Sequence, residues 1–250
     1  MASTNGSESQ QPVVCVFCAS SPGNNPAHLE SARQLSSTLS NAGYKLVYGG
    51  GGMGIMGEVA KTFVSNSGPS SVDGIIPRAL VKAESTATSR NESPAAGHGQ
   101  DVKQSERTLT KDQLKRSNTN EMVVPQSEFG NTIIVQDMHT RKRMMAEKVV
   151  GGGPGSGFVA LAGGYGTLEE VAEMVTWNQL GIHKMPIVVV NVDGIWDGVL
   201  DWVRRSVREG FIGEGNANII MEVKDPKDVV DALRDYKVAE GRFNMDWTNE

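Results

Sequence analysis

Short, nearly unbroken apolar runs recur along this chain, and most lead through a glycine turn into a segment with apolar residues at helical spacing. Val13–Phe17, Lys45–Tyr48, Val72–Ile76, Thr132–Val135, Phe158–Leu161 and Ile187–Val192 read as buried strands, and Ile219–Met221 as a short one near the end. Between them Ala27–Ala42, Ile55–Val64, Met138–Val150, Thr167–Leu180, Ile195–Glu209 and Lys227–Tyr236 read as helices. In the first helix Leu29, Ala32, Leu35 and Leu39 share a stripe, and Gly43 stops it. Strands this uniformly apolar must be covered on both faces. The alternation therefore predicts an α/β fold, a Rossmann-like parallel sheet with helices on both faces in a single domain. Ligands of such sheets bind at the carboxyl ends of the strands.

Three segments break the rhythm. Residues 1–11 are polar and predict a disordered start without a signal-peptide core. Glu84–Gln126 is rich in Ser, Thr, Asn, Gln and charge, and predicts a polar, partly mobile insertion at 85–126 within a domain spanning 12–240. Gly151–Gly157 predicts a flexible link. Residues 241–250 form a C-terminal tail. The formal net charge of −5 argues against a nucleic-acid partner, and no apolar run approaches the ~20 residues of a membrane span. A cytoplasmic location is the default expectation. Cys15 and Cys18 are spaced C-x-x-C, yet on a strand they point to opposite faces, which fits buried structural thiols better than a redox or metal pair.

The chemistry concentrates in Leu161-Ala-Gly-Gly-Tyr-Gly-Thr-Leu-Glu-Glu170, between a strand and a helix. Gly163, Gly164 and Gly166 allow close backbone approach, and a helix start offers N–H groups to an anion. Thr167 adds a hydroxyl and is expected to cap the helix, with Glu169 and Glu170 in its first turn. Thr167, Glu170, Val171 and Met174 share one helix face, so Glu170 points inward while Glu169 and Glu173 lie nearer the outside. A second cluster, Met138–Met145, starts the helix after Thr132–Val135. Arg141 lies on its methionine-lined face and needs an anion there; Lys142 is close in angle. Gly52-Met-Gly-Ile-Met-Gly57 matches G-x-G-x-x-G but lacks an evident ribose-reading acid, so it offers either N–H groups or close packing.

Arg141-Lys142 followed by Gly163–Glu170 resembles the lonely guy family, the cytokinin-activating phosphoribohydrolases, once labelled lysine decarboxylases. Val16–Ser21, Gly49–Gly57, Gly74–Leu80, Met138–Met145 and Thr176–His183 resemble family blocks in family order. The resemblance implies hydrolysis of the N-glycosidic bond of adenosine 5′-monophosphates carrying an N6 side chain, by a homodimer or higher homo-oligomer without metal or organic cofactor. It assigns catalysis to Arg141 and Glu170, and substrate binding to Glu84, Lys142, Gly163, Gly164, Tyr165, Gly166, Thr167, Leu168, Glu169 and Thr176. The chain departs from the family pattern at Ala162, where proline is usual, and in its long polar insertion. The competing class is a non-catalytic nucleotide or molybdenum-cofactor carrier of the same fold. A nicotinamide oxidoreductase would rest on Gly52–Gly57 alone, and no pyridoxal-binding lysine stands out for a decarboxylase.

Overall fold

A computed structural model describes residues 10–81 and 122–245, with backbone only for 122–126. Eight strands form one sheet in the order β4-β5-β3-β2-β1-β6-β7-β8. They are β1 (Val13–Phe17), β2 (Lys45–Tyr48), β3 (Val72–Pro77), β4 (Met122–Ser127), β5 (Gly130–Val135), β6 (Gly157–Ala160), β7 (Ile187–Val190) and β8 (Ile220–Val223). All neighbours pair in parallel except β4, which runs antiparallel to β5 at the edge. The helices are α1 (Ala27–Asn41), α2 (Gly54–Ser67), α3 (Met138–Val150), α4 (Tyr165–Gln179), α5 (Asp197–Arg208) and α6 (Val229–Asp235). Residues 78–81 open a further helical turn after β3.

Alternate strand residues feed two cores, as the pleat requires. Val14, Val16, Leu46, Tyr48, Val159 and Val188 pack with Leu35 and Leu39 of α1, Val59 and Phe63 of α2, and Leu233 of α6. Cys15, Phe17, Val47, Phe158, Ala160 and Ile187 pack on the other face with Met145 and Val149 of α3, Val171 and Met174 of α4, and Leu200 of α5. The Rossmann-like sheet with helices on both faces is therefore observed. Cys15 and Cys18 are free, buried and divided between the two cores. Burial pushes both thiols above their ordinary range.

Some sequence expectations need correction. The predicted insertion ended at Gln126, but β4 begins at Met122 and is a strand of the sheet. The proline at 125 and the polar surroundings hide it. An edge strand tolerates proline because one side of its backbone needs no ladder partner. The Gly151–Gly157 link is tied down: Gly153 N–H donates to the Gln11 carbonyl at 3.0 Å, Ser156 Oγ accepts from Val13 N–H at 2.9 Å, and Tyr44 donates to the Gly155 carbonyl at 3.1 Å. Gln11, placed in the polar start, also donates through Nε2 to the Gly43 carbonyl at 2.7 Å. The expected disorder of residues 1–9 and the body of the insertion, Glu84 included, lie outside the described residues.

Candidate active site

The strand order reverses direction between β1 and β6, since β1 leads to β2 on one side while β6 leads to β7 on the other. A cleft of about 580 Å³ opens at the carboxyl ends of β1, β2, β3 and β6, where such sheets hold ligands. Cys18 to Ser21 follow β1 into it, Gly49, Gly51, Met53 and Met56 follow β2, and Ile76 and Leu80 come from the end of β3 and beyond. Arg141 of α3 and Gly164, Gly166, Thr167 and Glu170 of the β6–α4 segment complete the lining.

Arg141 and Glu170 are far apart in sequence and meet here. An Arg141 guanidinium nitrogen lies 3.5 Å from Glu170 Oε1, and both side chains are buried. Asp137 starts α3 by accepting from Thr140 N–H at 2.8 Å, which sets the helix so that Arg141 projects inward. Arg141 donates through Nε to the Ile75 carbonyl at 3.1 Å and through Nη2 to the Gly49 carbonyl at 3.3 Å. Those bonds fix the guanidinium plane. A Cβ at position 49 would stand 2.1 Å from Arg141 Nη2, so any other residue there would displace the guanidinium from this position. Burial raises the Glu170 pKa to about 7 and outweighs the nearby Arg141, which lowers it. A carboxyl titrating near neutral pH, facing a fixed cation inside a cleft, can exchange a proton with a ligand at physiological pH.

The start of α4 supplies the anion site. The N-cap is Gly164, with no side-chain cap. The first helical hydrogen bond runs from Leu168 N–H to the Gly164 carbonyl, so the N–H groups of Tyr165, Gly166 and Thr167 lie ahead of the intrahelical ladder. A Cβ at Gly164 or Gly166 would meet nothing within 4 Å, which leaves the cleft side of this turn open to a ligand. Gly163 has another role. A Cβ there would lie 2.1 Å from Thr167 Oγ1, so it lets the buried Thr167 fold back beneath the turn. Thr167 is thus the third helical residue and not the cap, and Glu169 and Glu170 fall in the second turn of α4 instead of the first.

The other sequence-derived positions lie elsewhere. Lys142 pairs with Glu169 at 2.5 Å and Glu173 at 3.1 Å, on the flank of α3 and α4 outside the cleft lining. Tyr165 is 94% exposed. Leu168 and Thr176 face a separate apolar groove of about 470 Å³ shared with Val199, Trp202 and Ile212, and the Thr176 hydroxyl donates to its own helix at the Ala172 carbonyl. Sequence reasoning gave no individual role to Ser20, Ser21, Met53, Met56, Ile76 or Leu80. Their position at or beyond the carboxyl ends of β1, β2 and β3 was the available signal. The Gly52–Gly57 loop resolves in favour of packing. Ile55 N–H and Met56 N–H donate to the carbonyls of Ser21 and Ala19 at 3.3 and 3.0 Å, so the first turn of α2 is already engaged. Gly54 has a φ of 58°, and a Cβ there would sit 2.4 Å from the Ser21 backbone.

A family model described as possible lysine decarboxylase matches residues 56–233. Cytokinin riboside 5'-monophosphate phosphoribohydrolase LOG7 of Arabidopsis thaliana is 34% identical over 224 residues, covering 90% of this chain and 82% of that protein. This chain belongs to that LOG family. A bifunctional cytokinin biosynthesis protein of Fusarium pseudograminearum is 40% identical over 94% of this chain. The chain spans 42% of that relative's length. Among solved structures, the Moco carrier protein from Chlamydomonas reinhardtii superposes with a TM-score of 0.53 at 16% identity, covering 90% of this chain and 96% of that one. At that identity the likeness concerns the fold alone.

Proposed function

We propose that this protein hydrolyses the N-glycosidic bond of adenosine 5′-monophosphates substituted at N6, releasing the free base and ribose 5-phosphate. The observation that carries the proposal is the Arg141–Glu170 pair, 3.5 Å apart, in a cleft whose adjoining wall is the open amide end of α4. Membership of the LOG family, with its cytokinin riboside 5'-monophosphate phosphoribohydrolases, supports the same substrate. A carrier needs the anion grip but has no use for a buried carboxyl poised near neutrality.

The α4 amides take the 5′-phosphate, and the apolar surfaces of Met53, Met56, Ile76 and Leu80 take the base. The sugar then lies against Glu170 and Arg141. As the bond from C1′ to the base nitrogen breaks, its electron pair leaves with the base, whose nitrogen takes up a proton from solvent, and positive charge grows on the ribose ring. The Glu170 carboxylate stabilises that charge and takes a proton from the water whose oxygen bonds to C1′. Arg141, fixed by two carbonyls, orients the sugar and phosphate. The two buried free thiols suit a reducing, cytoplasmic setting. The groove around Thr176, continuous through Leu168 with the phosphate-gripping turn, is the surface we assign to a second copy of the chain in a homodimer.

Incubation with AMP, N6-isopentenyl-AMP and the corresponding nucleosides tests the proposal. Free base and ribose 5-phosphate should form from the monophosphates, while the nucleosides, lacking the group the α4 amides hold, should react poorly. Equal turnover of nucleoside and nucleotide would remove the phosphate grip from the mechanism.

A further inference from the structure

The three nitrogens of Arg141 are held unequally. Nε donates to the Ile75 carbonyl at 3.1 Å and Nη2 to the Gly49 carbonyl at 3.3 Å. Nη1 donates to no oxygen among the described residues; its partner is the Met138 sulfur at 3.8 Å. Met138 is the first residue of α3, one turn before Arg141, and the i to i+3 spacing brings its thioether beside the guanidinium. A thioether is a weak acceptor. It occupies Nη1 without binding it firmly, so a phosphate or sugar oxygen displaces it at little cost. Nη1 is therefore the nitrogen of Arg141 left for a ligand.

Met138 is also open to solvent. It is 41% exposed, whereas Met145 and Met174, in the core beneath α3 and α4, are buried. Among the described residues only Met53 and Met245 are exposed to a similar degree. Met245 follows Phe243, whose N–H binds the Gln179 carbonyl at the end of α4 remote from the cleft. Met53 lines the cleft on the β2 side. Of these exposed thioethers, Met138 is the one that touches Arg141.

We propose that Met138 is an oxidation site through which hydroperoxides weaken the grip of Arg141 on the nucleotide. This rests on Arg141 orienting the nucleotide. A lone pair of the Met138 sulfur attacks one peroxide oxygen, an S–O bond forms, and the O–O bond breaks. The proton on the transferred oxygen passes to the departing oxygen, which leaves as water or an alcohol. The sulfur is oxidised by two electrons and the peroxide is reduced by two. The product is a sulfoxide, a polar side chain in place of an apolar one. Its oxygen, carried on a sulfur already 3.8 Å from Nη1, takes a charge-assisted hydrogen bond from that nitrogen. The incoming nucleotide must then displace an oxygen instead of a thioether. Nε and Nη2 keep their carbonyls, so the guanidinium stays in place and bond breaking at Glu170 continues once the nucleotide is bound. KM rises and kcat changes little. Methionine sulfoxide reductases return the thioether, which makes the change reversible.

The test treats wild type, Met138→Leu and Met53→Leu with hydrogen peroxide and locates sulfoxides by peptide mass spectrometry. Calorimetric binding and turnover of N6-isopentenyl-AMP are measured on each protein against its own untreated sample. Wild type should carry the sulfoxide at Met138. Its Kd and KM should rise by about tenfold, with kcat within about twofold. Met53→Leu should respond as wild type does, and Met138→Leu should not. Methionine sulfoxide reductases, which leave cysteine oxidation products untouched, should reverse the loss. Met138→Gln sets an amide oxygen near Nη1 and should bind the nucleotide about as weakly with no peroxide added. A sulfoxide at Met138 with Kd and KM unmoved would overturn the proposal. Resistance of Met138 to peroxide that oxidises Met245 would do the same. Equal loss in Met138→Leu, or loss spared by Met53→Leu instead, would place the damage elsewhere in the cleft and overturn it too. The binding measurement needs no turnover. If wild type binds the nucleotide without hydrolysing it, the hydrolase assignment falls while the binding response still decides Met138.

Discussion

Glu170 is a carboxylic acid placed where ionisation is costly. Its pKa, raised by burial to about 7, lies above the ordinary value of 4.5 that it regains on unfolding. Between those values the folded protein binds more protons than the unfolded chain, so stability falls as pH rises. The stabilisation is fully present below about pH 4.5 and is lost as pH passes 7. Urea unfolding at pH 5 and pH 8 should therefore show a lower midpoint at pH 8 for wild type. In Glu170→Gln the part of that slope due to Glu170 should disappear, since the amide does not titrate. The inward direction of Glu170 was legible from its spacing with Thr167, Val171 and Met174. Its partner, Arg141, was legible only through the family resemblance, which pairs the two. The bonds that aim Arg141 are to backbone carbonyls of Ile75 and Gly49, and carbonyls leave no mark in a sequence.

At the scale of elements, the glycines of the β6–α4 turn divide into two kinds. Gly166 lies in the first turn of α4 facing open space, so Gly166→Ala should raise the thermal midpoint slightly through helix propensity, by about 1 kcal/mol at most. The same methyl enters the cleft and should raise KM for the nucleotide. Gly163→Ala must displace Thr167 and should lower stability itself. Thermal unfolding and KM measured on both variants separate the grip from the packing. The far end of α4 is held by the segment expected as a tail: Arg242 donates to the carbonyls of Asn178 at 2.7 Å and His183 at 2.6 Å. Arg242→Ala should cost about 1–3 kcal/mol in urea unfolding. The parallel strands were readable because burial on both faces makes them uniformly apolar. β4 was not, since an edge strand carries no such requirement and its three apolar residues, Met122, Val123 and Val124, follow directly on the polar insertion and run into Pro125 and the polar Gln126 and Ser127.

At the scale of the molecule, the sheet brings together segments that no local pattern connects. The Arg141 helix follows β5, the Glu170 helix follows β6, and the two strands are separated in the sheet by β3, β2 and β1. Two carbonyls that orient Arg141 come from the end of β2 and from β3, between them. Family resemblance could pair Arg141 with Glu170 in advance. The physical reason they meet is that α3 and α4 cover the same face of the sheet, over the core that holds Met145, Val149, Val171 and Met174. The groove on the outer side of α4 is 470 Å³ and carries Trp202 at 63% exposure. Trp202→Asp should shift sedimentation toward monomer without unfolding the chain if that face joins two copies; unchanged sedimentation of a dimeric wild type would place the interface elsewhere.

The most direct test of the whole account is Glu170→Gln assayed beside wild type, with turnover of N6-isopentenyl-AMP and calorimetric binding of the same nucleotide measured on both. Loss of general base and charge stabilisation should lower kcat by about 10²–10⁴-fold, while the α4 amides and Arg141 keep affinity close to wild type. Near-normal turnover in Glu170→Gln would contradict the account, because the carboxylate at its centre would then have no part in breaking the bond.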